Sequence, residues 1–169
     1  MTIDPEASGG VRRSNEGSLL PLGFAEVRIV LSGTDTDGAF AMSQQALKPR
    51  ALAGPLHRHA NESGFIYVLE GTIGAQLNGE VLLADPGDTV FVPKDAAHTF
   101  WNETDAQAEV LEIFTPAGLE GWFNELSEIV ASGSFDMDTI VESGRRFGTE
   151  LDLDSIETLM NEHSLQFPT

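Results

Sequence analysis

PLHRHANESGFIYVLEG (residues 55–71) and GDTVFVPKDAAHTFWN (residues 87–102) are the two stretches that decide the fold. In the first, His57 and His59 lie two apart, so on a strand both rings point to the same face. His98, in the second, follows a later turn and can meet them from a different strand. Three neutral imidazoles converging inside a barrel would hold one face of a divalent metal and leave positions open for water, oxygen or substrate. Between the stretches sits Asn78-Gly79, a strong short hairpin signal because both turn residues tolerate positive φ. Pro86-Gly87 marks a second reversal.

Outward from this centre the strand texture continues. Short runs rich in Val, Ile, Phe and Thr are punctuated by Gly, Pro, Asn and Asp at the spacing of an all-β barrel or sandwich. The predicted strands are Glu26–Leu31, Ala39–Leu47, Phe65–Glu70, Thr72–Leu77, Glu80–Leu83, Thr89–Val92, His98–Trp101 and Glu109–Phe114. After Pro116 the period changes. Leu119, Trp122, Phe123, Leu126, Ile129 and Val130 fall three and four apart, on one helical face. A second helix, capped by Asp136 or Asp138, runs through Ile140 and Val141 and stops at Gly148. A third starts at Asp154 and carries Ile156, Leu159 and Met160, with His163 read as surface. Residues 1–23 show no period and read as a flexible N-terminal arm. The predicted organisation is therefore this arm, a barrel over 24–116, and an acidic α-helical extension over 117–169 packing on the barrel or a partner subunit.

Composition narrows the function. The 169 residues are 41% hydrophobic, enough for a buried core, and fit one domain. There is no cysteine, which excludes a disulfide scaffold, a thiolate metal site and a cysteine nucleophile. A formal charge of −18 repels nucleic acid and anionic membranes. No apolar run approaches the roughly 20 residues of a membrane span. Residues 1–10 lack the basic start and apolar stretch of a signal peptide, so the expectation is a cytoplasmic protein.

The two opening stretches resemble the two motifs of the cupin superfamily. The first supplies His57, His59 and the closing Gly71. The second supplies Gly87, Pro93, His98 and Asn102, with the Asn78-Gly79 hairpin where cupins turn. The resemblance extends over most of residues 24–116. It continues into a tail similar to that of small quercetin-dioxygenase-like cupins, where an aromatic helix follows a Thr-Pro pair such as Thr115-Pro116. It implies an all-β fold, a cupin barrel (double-stranded β-helix or jelly roll) with a C-terminal helical extension. It further implies one divalent transition metal, Fe, Mn, Ni, Co or Zn, on His57, His59 and His98.

Three positions depart from the family pattern. Ala51 and Asp95 stand where glycines are usual, and aspartate tolerates the left-handed backbone well. The metal-binding glutamate falls on Gly64, which has no side chain to offer. Glu62, two residues earlier, could swing in as a substitute ligand, act as a base beside the site, or face solvent. Some cupins, the thiol dioxygenases and a β-diketone-cleaving enzyme among them, use three histidines and no carboxylate.

Strand parity sketches the pocket. Phe100 and Asn102 share the face of His98 while Trp101 turns away, and Ile66 and Val68 share the face of Gly64. On the second strand either Met42 and Gln44 or Ser43 and Gln45 face inward. The candidate substrate contacts are Gln44, Ile66, Val68 and Phe100, and Trp122 with Phe123 closes a barrel end. The expected function is a metal-dependent dioxygenase acting on a small aromatic, enolic or diketone-like compound. The alternatives are a non-redox metal-dependent isomerase or cyclase, and a non-catalytic small-molecule-binding barrel. Exposed sheet edges lead to the expectation of a homodimer.

Overall fold

The computed structural model describes residues 10–133 and 136–167. The chain runs β1 (Ser18–Pro21), β2 (Ala25–Leu31), β3 (Ala41–Leu47), β4 (Leu56–His59), β5 (Ser63–Glu70), β6 (Ile73–Leu77), β7 (Glu80–Ala84), β8 (Thr89–Val92), β9 (His98–Asn102) and β10 (Ala108–Thr115). It continues as α1 (Glu120–Ala131), α2 (Met137–Arg146), β11 (Thr149–Asp152) and α3 (Ser155–His163). The strands form two antiparallel sheets, ordered β1-β2-β3-β10-β5-β8 and β11-β4-β9-β6-β7. Chain neighbours such as β4 and β5 sit in different sheets, so the chain repeatedly crosses between the two layers of a jelly-roll barrel. Among the described residues, no helix is long and apolar enough to cross a membrane.

Alternation within β2, β3, β5, β8 and β10 fills the space between the sheets. In β3, Ala41, Ser43, Gln45 and Leu47 are buried and their neighbours are not, which selects Ser43 and Gln45 as the inward pair. In β5 the inward set is Gly64, Ile66 and Val68, and in β10 it is Ala108, Val110, Glu112 and Phe114. Val27, Leu47, Ile66, Val68, Ile73 and Val110 form the apolar centre, each at most 1% exposed. Asn78 and Gly79 both take positive φ, at 49° and 88°, and close the β6–β7 hairpin as their residue types require. Asp95 adopts φ 63°, the left-handed backbone expected where it replaces glycine. Asn102 ties the second motif to the strand before the first, its amide donating to the carbonyls of Lys48 and Ala106.

Two boundaries differ from the sequence reading. The arm assigned to 1–23 contains a strand, since Ser18–Pro21 pair with Glu26–Ile29, and residues 1–9 lie outside the described residues. The tail is not purely helical either, because β11 returns to the barrel and pairs with β4. At the start of α2, Asp136 caps the helix by accepting from the backbone N–H groups of Asp138 and Thr139, and beyond its end Gly148 takes φ 73° before β11.

α3 covers the outer face of the second sheet. Trp101, turned away from the barrel interior as parity required, is buried there among Leu52, Leu159 and Leu165. His163 is not a surface residue: its ring stacks on Trp101 with centroids 4.2 Å apart. The indole also lies against Gly74, where a methyl group would sit 2.2 Å from the ring. Only a residue without Cβ leaves room for the indole at this point of β6. Gly74→Ala should therefore destabilise the protein by about 1–3 kcal/mol, read as a lowered urea midpoint followed by tryptophan fluorescence. An unchanged midpoint would contradict the close approach of Trp101 to β6.

Candidate metal centre

β4 contributes His57 and His59, and β9 contributes His98, which lies directly across from His57 in the β4–β9 register. The ring centroids are 4.9 Å apart for His57–His59, 4.3 Å for His57–His98 and 5.1 Å for His59–His98. One ring nitrogen from each residue lies within 4.8 Å of the others, so the three histidines could hold one metal ion.

Hydrogen bonding decides which nitrogen is free. His57 Nδ1 is 2.8 Å from the carbonyl oxygen of Pro55, and His98 Nδ1 is 3.0 Å from that of Ala96. A carbonyl can only accept, so both Nδ1 atoms carry the proton and both Nε2 atoms keep their lone pair. His59 Nδ1 is 3.0 Å from Thr149 Oγ1, which leaves its Nε2 as the third candidate ligand. Burial then keeps the rings neutral. Desolvation, joined by the other histidines, lowers the pKa of His57 well below the usual imidazole value and that of His59 to about 3. His98 is also lowered, by desolvation against the opposing bond to Ala96. A neutral imidazole with its second nitrogen anchored is the donor that divalent transition metals require, so the residues fit such an ion.

The site opens on a cavity of about 100 Å³ beneath α1. Its carbon walls come from Phe24, Phe100, Phe114, Leu119, Trp122 and Phe123, among others. Five of its lining side chains carry polar atoms: His57, His59, Gln45, Glu112 and Trp122, whose indole N–H has no hydrogen-bond partner among the described residues. Gln45 and Glu112 are 2% and 4% exposed, and Gln45 Nε2 donates to Glu112 Oε2. With no cation beside it, burial pushes the Glu112 carboxyl up to about 8 against the smaller opposing effect of the Gln45 bond. It is a neutral acid at ordinary pH.

Among the substrate contacts expected from sequence, Phe100 lines this cavity. Ile66 and Val68 are buried in the barrel core and do not line it. Gln44 is corrected: β3 turns it to the outer face, where its amide donates to Glu109, and Gln45 takes the inward place. Glu62 does not face solvent, being 5% exposed, yet it belongs neither to the histidine cluster nor to the cavity wall. It points toward the start of the tail, 3.8 Å from where a Cβ would stand on Gly118, with Oε2 unpartnered and its pKa raised by desolvation. At Gly64 a methyl would meet Val92 and Phe114 at 3.7–3.8 Å, an ordinary contact, so crowding at Cβ does not enforce glycine there.

Glu112, Gln45 as a partner and Thr149 were missed. Glu112 was legible in principle, since Val110, Glu112 and Phe114 alternate through one strand and an acid at an inward position is unusual.

The raised Glu112 pKa has a pH signature. A carboxyl that titrates near 4.5 unfolded and about 8 folded contributes stability that is complete below the lower value and lost as pH rises through the upper one. Glu112→Gln should therefore melt close to the parent at about pH 5 and above it at about pH 9, by a gap on the order of a few kcal/mol. A difference in melting temperature that does not change with pH would contradict the buried neutral acid.

Comparison with known proteins agrees with this architecture. Residues 43–114 match the model of the cupin domain. Quercetin 2,3-dioxygenase of Bacillus subtilis is 27% identical over 119 residues, covering 70% of this chain and 34% of that protein. The chain thus spans about a third of the length of this curated relative. Among solved structures, KdgF from Halomonas sp. superposes with a TM-score of 0.58 at 20% identity, covering 66% of this chain and 96% of its own. A predicted oxalate decarboxylase from Thermotoga maritima gives a TM-score of 0.57 at 23% identity, covering 63% of this chain and 99% of its own. The nucleoside dehydratase Pac13 of Streptomyces gives 0.56 at 15% identity, covering 68% and 88%. At such identities the structural likeness speaks for the fold alone. The match to the cupin domain over residues 43–114 and the two antiparallel sheets together give the chain an all-β, cupin-barrel-like fold carrying C-terminal helices.

Proposed function

We propose that this protein is a mononuclear metal-dependent dioxygenase acting on a small, neutral enolic or diketone-like compound. The observation that carries the reading is the convergence of three neutral ring nitrogens in a cluster whose His57 and His59 line an apolar cavity beneath α1. The similarity to quercetin 2,3-dioxygenase supports oxygen chemistry over the other reactions that cupin barrels host.

The Nε2 atoms of His57, His59 and His98 would hold a divalent transition metal, which supplies oxygen activation and Lewis acidity when bound. The chain's own residues do the remainder. Leu119, Trp122, Phe123 and Leu126 carry α1 over the cavity and keep water from it. Phe100 and Phe114 give flat walls against which a planar molecule lies. Thr149 holds the ring of His59 from β11, so the C-terminal tail completes the site.

Size decides among the substrates. A cavity of about 150 Å³ takes benzene, and this one is about 100 Å³. A three-ring flavonol does not fit without displacing α1, whereas a short β-dicarbonyl, of about benzene's size, needs only a small adjustment of the same wall. The substrate is thus smaller than the one named for the Bacillus relative.

Protein purified without chelator or affinity tag should carry about one equivalent of iron, manganese, nickel or cobalt. His98→Ala should lose it. The metal-loaded protein should consume oxygen with pentane-2,4-dione, and the variant should fall by at least about a hundredfold. Turnover of such compounds without oxygen consumption would replace the reading with a non-redox isomerase or cyclase. Absence of metal after purification and after reconstitution would overturn it.

A further inference from the structure

The cavity has a second polar place apart from the histidines. Gln45 on β3 and Glu112 on β10 come from neighbouring strands, in a register that sets Glu112 opposite Ser43 and Val110 opposite Gln45. The Gln45 amide therefore reaches diagonally along the inner face to the carboxyl. Burying a carboxyl and an amide in a barrel core is costly unless their hydrogen-bonding atoms are used. Only half of them are. Gln45 Nε2 bonds Glu112 Oε2, with a longer contact of 3.5 Å to Ser43 Oγ. Among the described residues no hydrogen bond engages the Oε1 atom of either residue, and no Lys or Arg pairs with Glu112.

The roles of these two atoms follow from the bond already made. Glu112 Oε2 accepts from the amide, so the proton of the neutral acid belongs on Oε1, where it is available as a donor. Gln45 has spent an N–H, so its Oε1 is available as an acceptor. The pair thus displays one donor and one acceptor side by side, in a cavity whose other polar groups are the imidazoles and the unpartnered indole N–H of Trp122.

We propose that Gln45 and Glu112 form an anchoring site for a small neutral ligand that carries a hydroxyl conjugated to a carbonyl, as the enol of a β-dicarbonyl does. The Glu112 O–H donates to the ligand's carbonyl oxygen, and Gln45 Oε1 accepts from its hydroxyl. The inference deepens the proposed function and rests on its reading of the cavity as the substrate site. It assigns the recognition of the substrate's oxygens to two residues that hold no metal. Both are then specificity determinants: a hydrocarbon of the same size leaves them unpaired, and a carboxylate brings a charge into a dry cavity.

The test uses the full chain stripped of metal with chelator, so that binding is read without any contribution from the histidine site as a metal centre. Pentane-2,4-dione is the probe, and its dissociation constant is measured by calorimetry at about pH 6, where the Glu112 acid is neutral. The parent should bind. Glu112→Leu and Gln45→Leu should each weaken binding by at least about tenfold. Glu112→Gln, whose amide N–H replaces the acid O–H, should stay within about threefold of the parent. A merely structural role would not produce that rescue. If the parent shows no binding, or if both leucine variants bind as the parent does, the anchoring site is wrong. Metal uptake by the untreated parent reports separately on the proposed function, so either reading can fail while the other stands.

Discussion

A buried imidazole is a metal ligand only while its proton is held on the other nitrogen, and the whole of this site depends on that constraint. Two backbone carbonyls, of Pro55 and Ala96, impose it on His57 and His98. Each lies two residues before the histidine it holds, so the tautomer is written into the local chain path of the strand entrances at β4 and β9. The third ring is held differently. Thr149 reaches His59 from a strand 90 residues later, and without β11 the edge of β4 and the Nδ1 atom of His59 would both be open. The tail is thus part of the site as well as a cover on the barrel.

The same dryness that keeps the histidines neutral keeps Glu112 protonated. Desolvation acts in opposite directions on the two chemistries, lowering an imidazole and raising a carboxyl, and both results are uncharged groups. A cavity built this way tolerates little net charge and favours neutral ligands that bring matched hydrogen bonds. The carboxylate that the family places on the metal has no counterpart at Gly64. The acid in the cavity stands instead on β10, where the phenyl ring of Phe114 packs beside Gly64 and Glu112 lies two residues before it.

Much of this was legible in the sequence because its signals were redundant. Alternation, the Asn78-Gly79 turn and the spacing of three histidines all indicated one barrel, and each could have failed without losing it. The misses occurred where one weak signal stood alone. Met42-Ser43-Gln44-Gln45 has no apolar alternation, so nothing local selected Gln45 over Gln44; the choice is made by pairing with β2 and β10 on either side. Thr149–Asp152 is four residues long, acidic and set between helices, and it becomes a strand because β4 offers a free edge. His163 reads as surface on its own helix, and its place against Trp101 arises only from the packing of α3 on the second sheet. Glu62 followed its residue type in expectation and tertiary burial in fact.

The most direct test of the central claim is the imidazole ¹⁵N spectrum of the metal-free protein across pH, followed by addition of one equivalent of zinc. His57 and His98 should show Nδ1–H tautomers that stay neutral well below the ordinary imidazole pKa of about 6.5. Zinc should then shift the Nε2 resonances of His57, His59 and His98 together. Nε2–H tautomers, titration near the ordinary value, or a zinc response confined to one ring would contradict a preformed three-histidine site.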